Sequence, residues 1–544
     1  MKTKQLSSIM TSVRIFRTWI FYILALSLSF SVLPNNVQAE SIPSELKPIH
    51  VLDRLAFGPR PGDVERIKSM GVDQYIKEQL SPNSLSLPDS LATRLESLST
   101  LRLTAPELFV EYGPPSYAAQ KGDQQAAQRA RQRARVILEQ ATEARLVRAV
   151  ESPRQLEEVM VNFWFNHFNV FAQKGLDYLW IGSFEDEAIR PYALGRFRDL
   201  LGATAKHPAM LFYLDNWQNT APNSPGARGA FKGLNENYAR ELMELHTLGV
   251  DGGYTQDDVI TLARILTGWG FRRPGQPFQA RAARLLGAPG SENVPDSNGF
   301  YFDSNRHDFS GKVFLGRTIK QSGINEGEEA LDILAQHPST ARHISHELAQ
   351  YFVSDDPPKS LVDRLAKEFL NTRGDIRAVL NTLFHSPEFW DEQYFGKKFK
   401  TPYEYVISAV RASGYPLVNA RPLLGMMQQL GMPLYGCLTP DGYKNTQAAW
   451  LNPSAMTQRL NFAVALAAGR LPLNQRPLEP AEQMGEIKQP ATENQPNRVE
   501  PLDSTILTRL LGNALSAETR ATLDNSPGPF RAALILGSPD FMHR

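Results

Sequence analysis

The stretch Asn235–Gly268, NENYARELMELHTLGVDGGYTQDDVITLARILTG, decides the fold. It reads as a polar helix, a glycine loop and a second helix. At about 100° per residue, Asn237, Glu241, Glu244 and Leu248 share one helical face. Arg240 lies one step round, within i+4 reach of Glu244, and Tyr238, Leu242 and Leu245 form a neighbouring apolar stripe. His246 falls nearly opposite Asn237, so neither glutamate can share a metal with it while the helix stays regular. The spacing is not that of a His-Glu-x-x-His zinc helix. What remains is a carboxylate pair with an Arg and an Asn beside it. Two carboxylates a turn apart among apolar neighbours push one pKa upward, as general acid/base chemistry requires. The plainer reading is a half-buried helix with an ordinary Arg240–Glu244 ion pair. Gly249 ends the helix, Asp251-Gly252-Gly253 makes the turn, and Thr255-x-x-Asp258 is a capping box opening the next helix. DGGYTQDD has the look of a calcium loop, but Gln256 stands where an EF-hand needs Gly and Leu262 where it needs Glu.

Upstream, Asp215-Asn216-Trp217-Gln218-Asn219 and Asn235-Glu236-Asn237 flank a loop rich in Gly, Pro and Ala. Asn and Asp often simply cap helices, but with Trp217 these clusters would also suit a sugar or a hard cation. Asp215, Asn216, Asn219, Asn237 and Arg240 are therefore candidate substrate-binding residues. Ser152-Pro153-Arg154-Gln155 reads as an S-x-x-Q capping box with Pro at N1. The helix it opens carries Leu156, Met160, Phe163 and His167 on one face, beside Trp164. His167 is then either a core histidine bonded to a carbonyl or a functional one on an aromatic floor. His50 is expected to pack in the corner made by the helices around it.

Downstream, His307-Asp308 followed by Lys312 is a loop device for metals and proton transfer. With Glu241 and Glu244 as candidate catalytic groups, His307 and Asp308 would close the site and Lys312 would bind substrate. His167, His246, His307 and Asp308 are the candidate ligands for a divalent metal ion. Residues 272–305 look like an irregular insertion with a short strand pair around Phe300–Phe302. The helix from Pro338 to Phe352 carries His343, His346 and Glu347, read here as a solvated face. Two helices closed by Ser-Pro and an acid–aromatic pair, at Ser386–Phe389 and Ser538–Phe541, echo one another and suggest similarly docked helix ends. They are too few for a solenoid.

NENYARELMELHTLGVDGGYT resembles the signature of the bacterial domain-of-unknown-function family DUF-1800. So do HVLDRLAFGPRPGDVERI (His50–Ile67), FWFNHF (Phe163–Phe168), HDFSGKVFLG (His307–Gly316) and LGMPLYGCLTPDGY (Leu430–Tyr443), in the family's order. The resemblance implies an exported, mostly helical protein and supplies no established activity. It also implies apolar and basic residues where this chain has His343, His346 and Glu347.

The chain has 544 residues and a net charge of +1, which points to neither nucleic acid nor an acidic membrane surface as partner. Lys2, Lys4, Arg14 and Arg17 precede an apolar run from Trp19 to Leu33, and Val37-Gln38-Ala39 offers a cleavage site. Residues 1–39 are thus expected to be a signal peptide, leaving a periplasmic or secreted protein with no stable membrane span. With one cysteine, Cys437, there is no intramolecular disulfide. Residues 40–150 form an N-terminal helical region and 151–470 a core helical region holding the candidate site. Residues 471–501 are a Pro-rich linker or surface excursion, and 502–544 are C-terminal helices. Alternating β-branched runs are scarce, so the fold class is all-α, with long functional loops and few short strands. There is no nucleophile elbow, P-loop, dinucleotide fingerprint, paired CxxC or haem-attachment motif. Two functions are left: a hydrolase or lyase using the carboxylate pair, with or without a metal, on an extracytoplasmic polymer; or a non-catalytic envelope protein binding glycan or calcium.

Overall fold

A computed structural model of the chain describes residues 40–114, 124–229, 231–272, 298–475 and 500–544. The expected signal peptide, residues 273–297 of the insertion and residues 476–499 of the Pro-rich stretch lie outside them. Ser41–Arg544 makes one compact unit. It is all-α, as expected; among the described residues the only sheets are two antiparallel pairs of two strands.

The elements that position the site are few. Helix α1 (Lys47–Leu55) is followed by the long α2 (Gln124–Glu151) and by α3 (Gln155–His167). Then come α4 (Asn237–Glu244), α5 (Gln256–Ile265) and the pair β1 (Trp269–Phe271) and β2 (Phe300–Phe302), which meet with Gly270 opposite Tyr301. The expected strand at Phe300–Phe302 is therefore present. Helices α6 (Ile324–Ala335), α7 (Pro338–Phe352) and α8 (Pro402–Ser413) complete the frame.

Two of these helices are interior. Every residue of α8 is buried, and so are eleven of the thirteen in α3. A helix apolar on most sides must lie inside a large core. Trp164 of α3 is fully buried and donates its indole N–H to the Ala193 carbonyl at 3.0 Å, so its one polar group is satisfied. Burying a side chain of this kind stabilises the fold by about 1.5–3 kcal/mol. Helix α8 starts at a capping box, Thr401 with Glu404, and stops at Gly414, whose φ of +68° suits glycine.

The capping box at Thr255–Asp258 forms as its sequence indicates. The one expected at Ser152–Gln155 does not. Gln155 is buried, and its amide donates to the carbonyls of Ser152 (2.8 Å) and Ala149 (3.1 Å) while accepting from the Phe57 N–H at 3.3 Å. Satisfying three interior backbone groups outweighs reaching one helix-end amide. His50 packs in its corner, its Nε2 2.9 Å from the Phe389 carbonyl oxygen. The two Ser-Pro helix ends do dock alike: Ser386 accepts from the Phe389 N–H at 3.3 Å, and Ser538 from the Phe541 N–H at 3.2 Å.

Candidate functional site

Helix α4 buries Tyr238, Ala239, Leu242 and Met243, the stripe its sequence marks out. Beyond Glu244 its last turn widens. The His246 N–H reaches back five residues to the Glu241 carbonyl (3.1 Å), and the Leu248 N–H five residues to Met243 (2.8 Å). Thr247 pins the turn by donating its hydroxyl to the Leu242 carbonyl at 2.6 Å. Gly249, at φ +84°, ends it, and a Cβ there would press on His343 Nδ1 at 3.1 Å. The carbonyls of Leu245 and His246 accept from outside the helix.

Two histidines use them. His343 Nε2 of α7 lies 3.1 Å from the Leu245 oxygen, and His167 Nε2 of α3 lies 3.2 Å from the His246 oxygen. His167 Nδ1 is 2.7 Å from Glu347 Oε2. A carbonyl and a carboxylate only accept, so a ring with a proton on each nitrogen satisfies both contacts. Burial works to raise the Glu347 carboxyl, but the charge and hydrogen bond of His167, with His343 and His346 beyond, hold it down at about 2. His246 is pushed well below the usual histidine range, by burial first and by the neighbouring His167 second. His167 is bonded to a carbonyl, as the core reading expects, and stands beside aromatic rings, with Trp164 at 5.5 Å and Phe168 at 4.5 Å.

His167, His343 and Glu347 open onto a cavity of about 250 Å³, which Glu244 and Leu245 of the α4 end also line. Its further wall is the loop Leu430–Tyr443, continued through Lys444 and Asn445. This loop is fastened to α3 and the residues just after it by side-chain amides. Asn166 donates to the Tyr443 carbonyl and accepts from the Tyr443 N–H, both at 2.8 Å. Asn169 donates to the carbonyls of Cys437 (3.1 Å) and Thr439 (2.8 Å). Gly442 sits between them at φ +66°, where a Cβ would overlap the Asn166 carbonyl oxygen. Asp441 and Lys444 pair across the wall at 2.6 Å.

The carboxylate pair itself is half-buried. Glu244 receives a hydrogen bond from the Tyr254 hydroxyl at 3.4 Å. Burial raises the Glu241 carboxyl, helped by Glu244 and Asp441 and opposed by Arg240. The expected Arg240–Glu244 ion pair is absent. Arg240 instead pairs with Glu236 (3.4 Å) and Gln256 (2.8 Å). A glutamate four residues before the arginine is the better-oriented partner on a helix, and α4 ends at Glu244.

The other expected site residues lie elsewhere. Asn216 and Asn219 are buried and tie backbone: Asn216 donates to the Trp269 carbonyl (3.2 Å), Asn219 to that of Ala263 (2.7 Å). Asn237 bonds the Leu214 carbonyl at 3.2 Å, and Asp215 pairs with Lys174 at 3.0 Å. His307, Asp308 and Lys312 form a knot of their own. His307 Nδ1 meets the Thr267 carbonyl oxygen at 2.9 Å, and its Nε2 stands 3.3 Å from Glu326. Lys312 pairs with Glu326 at 2.6 Å, and Asp308 with Arg264 at 2.8 Å. None of these three lines the cavity. Among the described residues no group of three or more His, Cys, Asp or Glu side chains is arranged to hold a metal ion, and no helix is long and apolar enough to cross a membrane.

Glu347, His343, Asn166, Asp441 and Lys444 are the cavity residues that sequence reasoning missed. The one signal for Glu347 was its position four residues after His343 on the polar side of α7.

In comparison with known proteins, the model of a family described as a protein of unknown function, DUF1800, matches residues 50–543. No curated protein and no solved structure matches the chain. Nearly the whole sequence lies within that one model, and the chain therefore belongs to the DUF1800 family.

Proposed function

We propose that the cavity is an acid/base site of hydrolase or lyase type, acting on a polar polymer that the exported protein meets in the periplasm or outside the cell. The observation that supports it is the carboxylate pair of α4: Glu244 on the cavity wall, and Glu241 one turn back, outside the lining, with its proton held to higher pH by burial and by Glu244. Glu244 takes a proton from the attacking water, or from carbon in a lyase. Glu241 supplies one, through water, to the departing oxygen, and a proton then passes from Glu244 back to Glu241, directly or through solvent, to restore both for the next turnover. The His167–Glu347 pair, locked to the end of α4, is a fixed charge pair beside the reacting group. His307, Asp308 and Lys312 have no part in this scheme, since their charges are matched by Glu326 and Arg264.

The test is release of fragments from purified envelope polymers, followed by mass spectrometry, with the wild type and the Glu244→Gln and Glu241→Gln variants. Wild type is expected to release product, and Glu244→Gln to lose about 10²-fold or more, the usual weight of a general base. A wild-type protein that binds a polymer without cutting it would retire the catalytic reading in favour of a non-catalytic glycan-binding protein.

A further inference from the structure

We propose that the cavity takes a primary ammonium group carried on a short apolar stem, an inference that rests on this cavity being the functional site. The charges on its wall are matched in an uneven way. Glu347 is paired with His167 at 2.7 Å and with His343 at 3.6 Å, and Asp441 with Lys444 at 2.6 Å. Glu244 has no cation. Its side chain takes one hydrogen bond, from the neutral Tyr254 hydroxyl, and Glu241 behind it likewise forms no ion pair among the described residues. Arg240, the cation best placed in sequence to neutralise them, is turned away to Glu236 and Gln256. A half-buried carboxylate without a cation is costly, and a ligand ammonium recovers that cost through a charge-assisted hydrogen bond to one carboxylate oxygen, leaving the other to face the water of the proposed reaction.

Size and lining narrow the ligand further, independently of the charges. A cavity of about 250 Å³ admits one residue-sized group, a side chain or chain end. Its wall includes Val250, 67% exposed although apolar, and Met432. Phe163, Tyr351 and Tyr443 add aromatic surface. Large apolar side chains left open on the wall of a polar cavity fit a carbon stem, and aromatic faces favour a cation. An anionic ligand would meet unpaired Glu244, and a sugar hydroxyl would leave its charge unmatched. A diamino-acid side chain in a peptide has both the stem and the charge.

Isothermal titration calorimetry on the intact protein tests this with three probes: Nα-acetyl-lysine methylamide, its Nε-acetylated form, and glucosamine. The lysine probe is expected to bind at least tenfold more tightly than its acetylated form, and more tightly than glucosamine. Glu244→Gln should abolish the preference for charge, while Glu244→Asp, which keeps the charge, should retain part of it. Equal binding of the charged and acetylated probes overturns the proposal, as does a charge preference that survives in Glu244→Gln. Tighter binding of glucosamine overturns the apolar stem. Amine binding without polymer cleavage would retire the catalytic reading alone, and cleavage without amine preference would retire this inference alone.

Discussion

Replacing Glu347 by Gln removes the carboxylate that joins α7 to His167, and the consequence has a definite dependence on pH. In the folded protein the carboxyl is held at about 2, against an ordinary 4.5. At about 1.4 kcal/mol per pH unit, that difference is on the order of 3 kcal/mol. The side chain keeps 31% of its surface open, so solvent screening reduces the figure to roughly 1–2 kcal/mol. The folded value lies below the ordinary one. The contribution is therefore complete above about pH 4.5 and fades as the pH falls toward 2. Urea unfolding of wild type and Glu347→Gln, compared at steps from pH 5 to pH 2.5, isolates this contribution, because the other carboxylates cancel in the difference. The wild type's advantage should shrink by roughly 1–2 kcal/mol across this window. An advantage that stays constant, or grows with acid, would refute the claim that Glu347 is an ionised partner of His167.

Two further outcomes follow from the packing. Gly442→Ala should cost about 1–3 kcal/mol from its left-handed backbone alone, and should speed proteolytic cleavage within Leu430–Tyr443 by loosening the Asn166 clamp. Unchanged cleavage would mean that the loop is held elsewhere. Glu326→Gln leaves Lys312, whose side chain is 1% exposed, with only the more distant Asp308 carboxylate at 4.0 Å, for a loss of about 3 kcal/mol. The double variant with Lys312→Met should lose clearly less; additive losses would argue against a coupled buried pair.

The local part of the fold was readable because it depends on neighbours in sequence. The α4 stripe and the Thr255–Asp258 box are both set within a few residues. The site was less readable because its partners are distant. His167 and Glu347 are 180 positions apart, and a polar helix face that lines a cavity has the same periodicity as one in bulk water. That is why His343 and Glu347 looked solvated. Asn216 and Asn219 misled in the opposite way: oxygen-rich side chains suggest a ligand, but here their amides go to the carbonyls of Trp269 and Ala263. His307 looked reactive beside Asp308, and the residues that neutralise the knot, Glu326 and Arg264, lie on two other helices.

The widened turn after α4 has a consequence for how the site tolerates change. His167 and His343 are gripped by the main chain of residues 245 and 246, not by their side chains. Substitution of Leu245 or His246 leaves both acceptors in the chain, so those two letters can vary while the histidine geometry persists. Thr247 and Gly249 do not line the cavity, yet they keep the turn open and the carbonyls aimed. Alter either, and two cavity histidines on separate helices lose their register together. The fragile positions of this site are the ones with the least chemistry of their own.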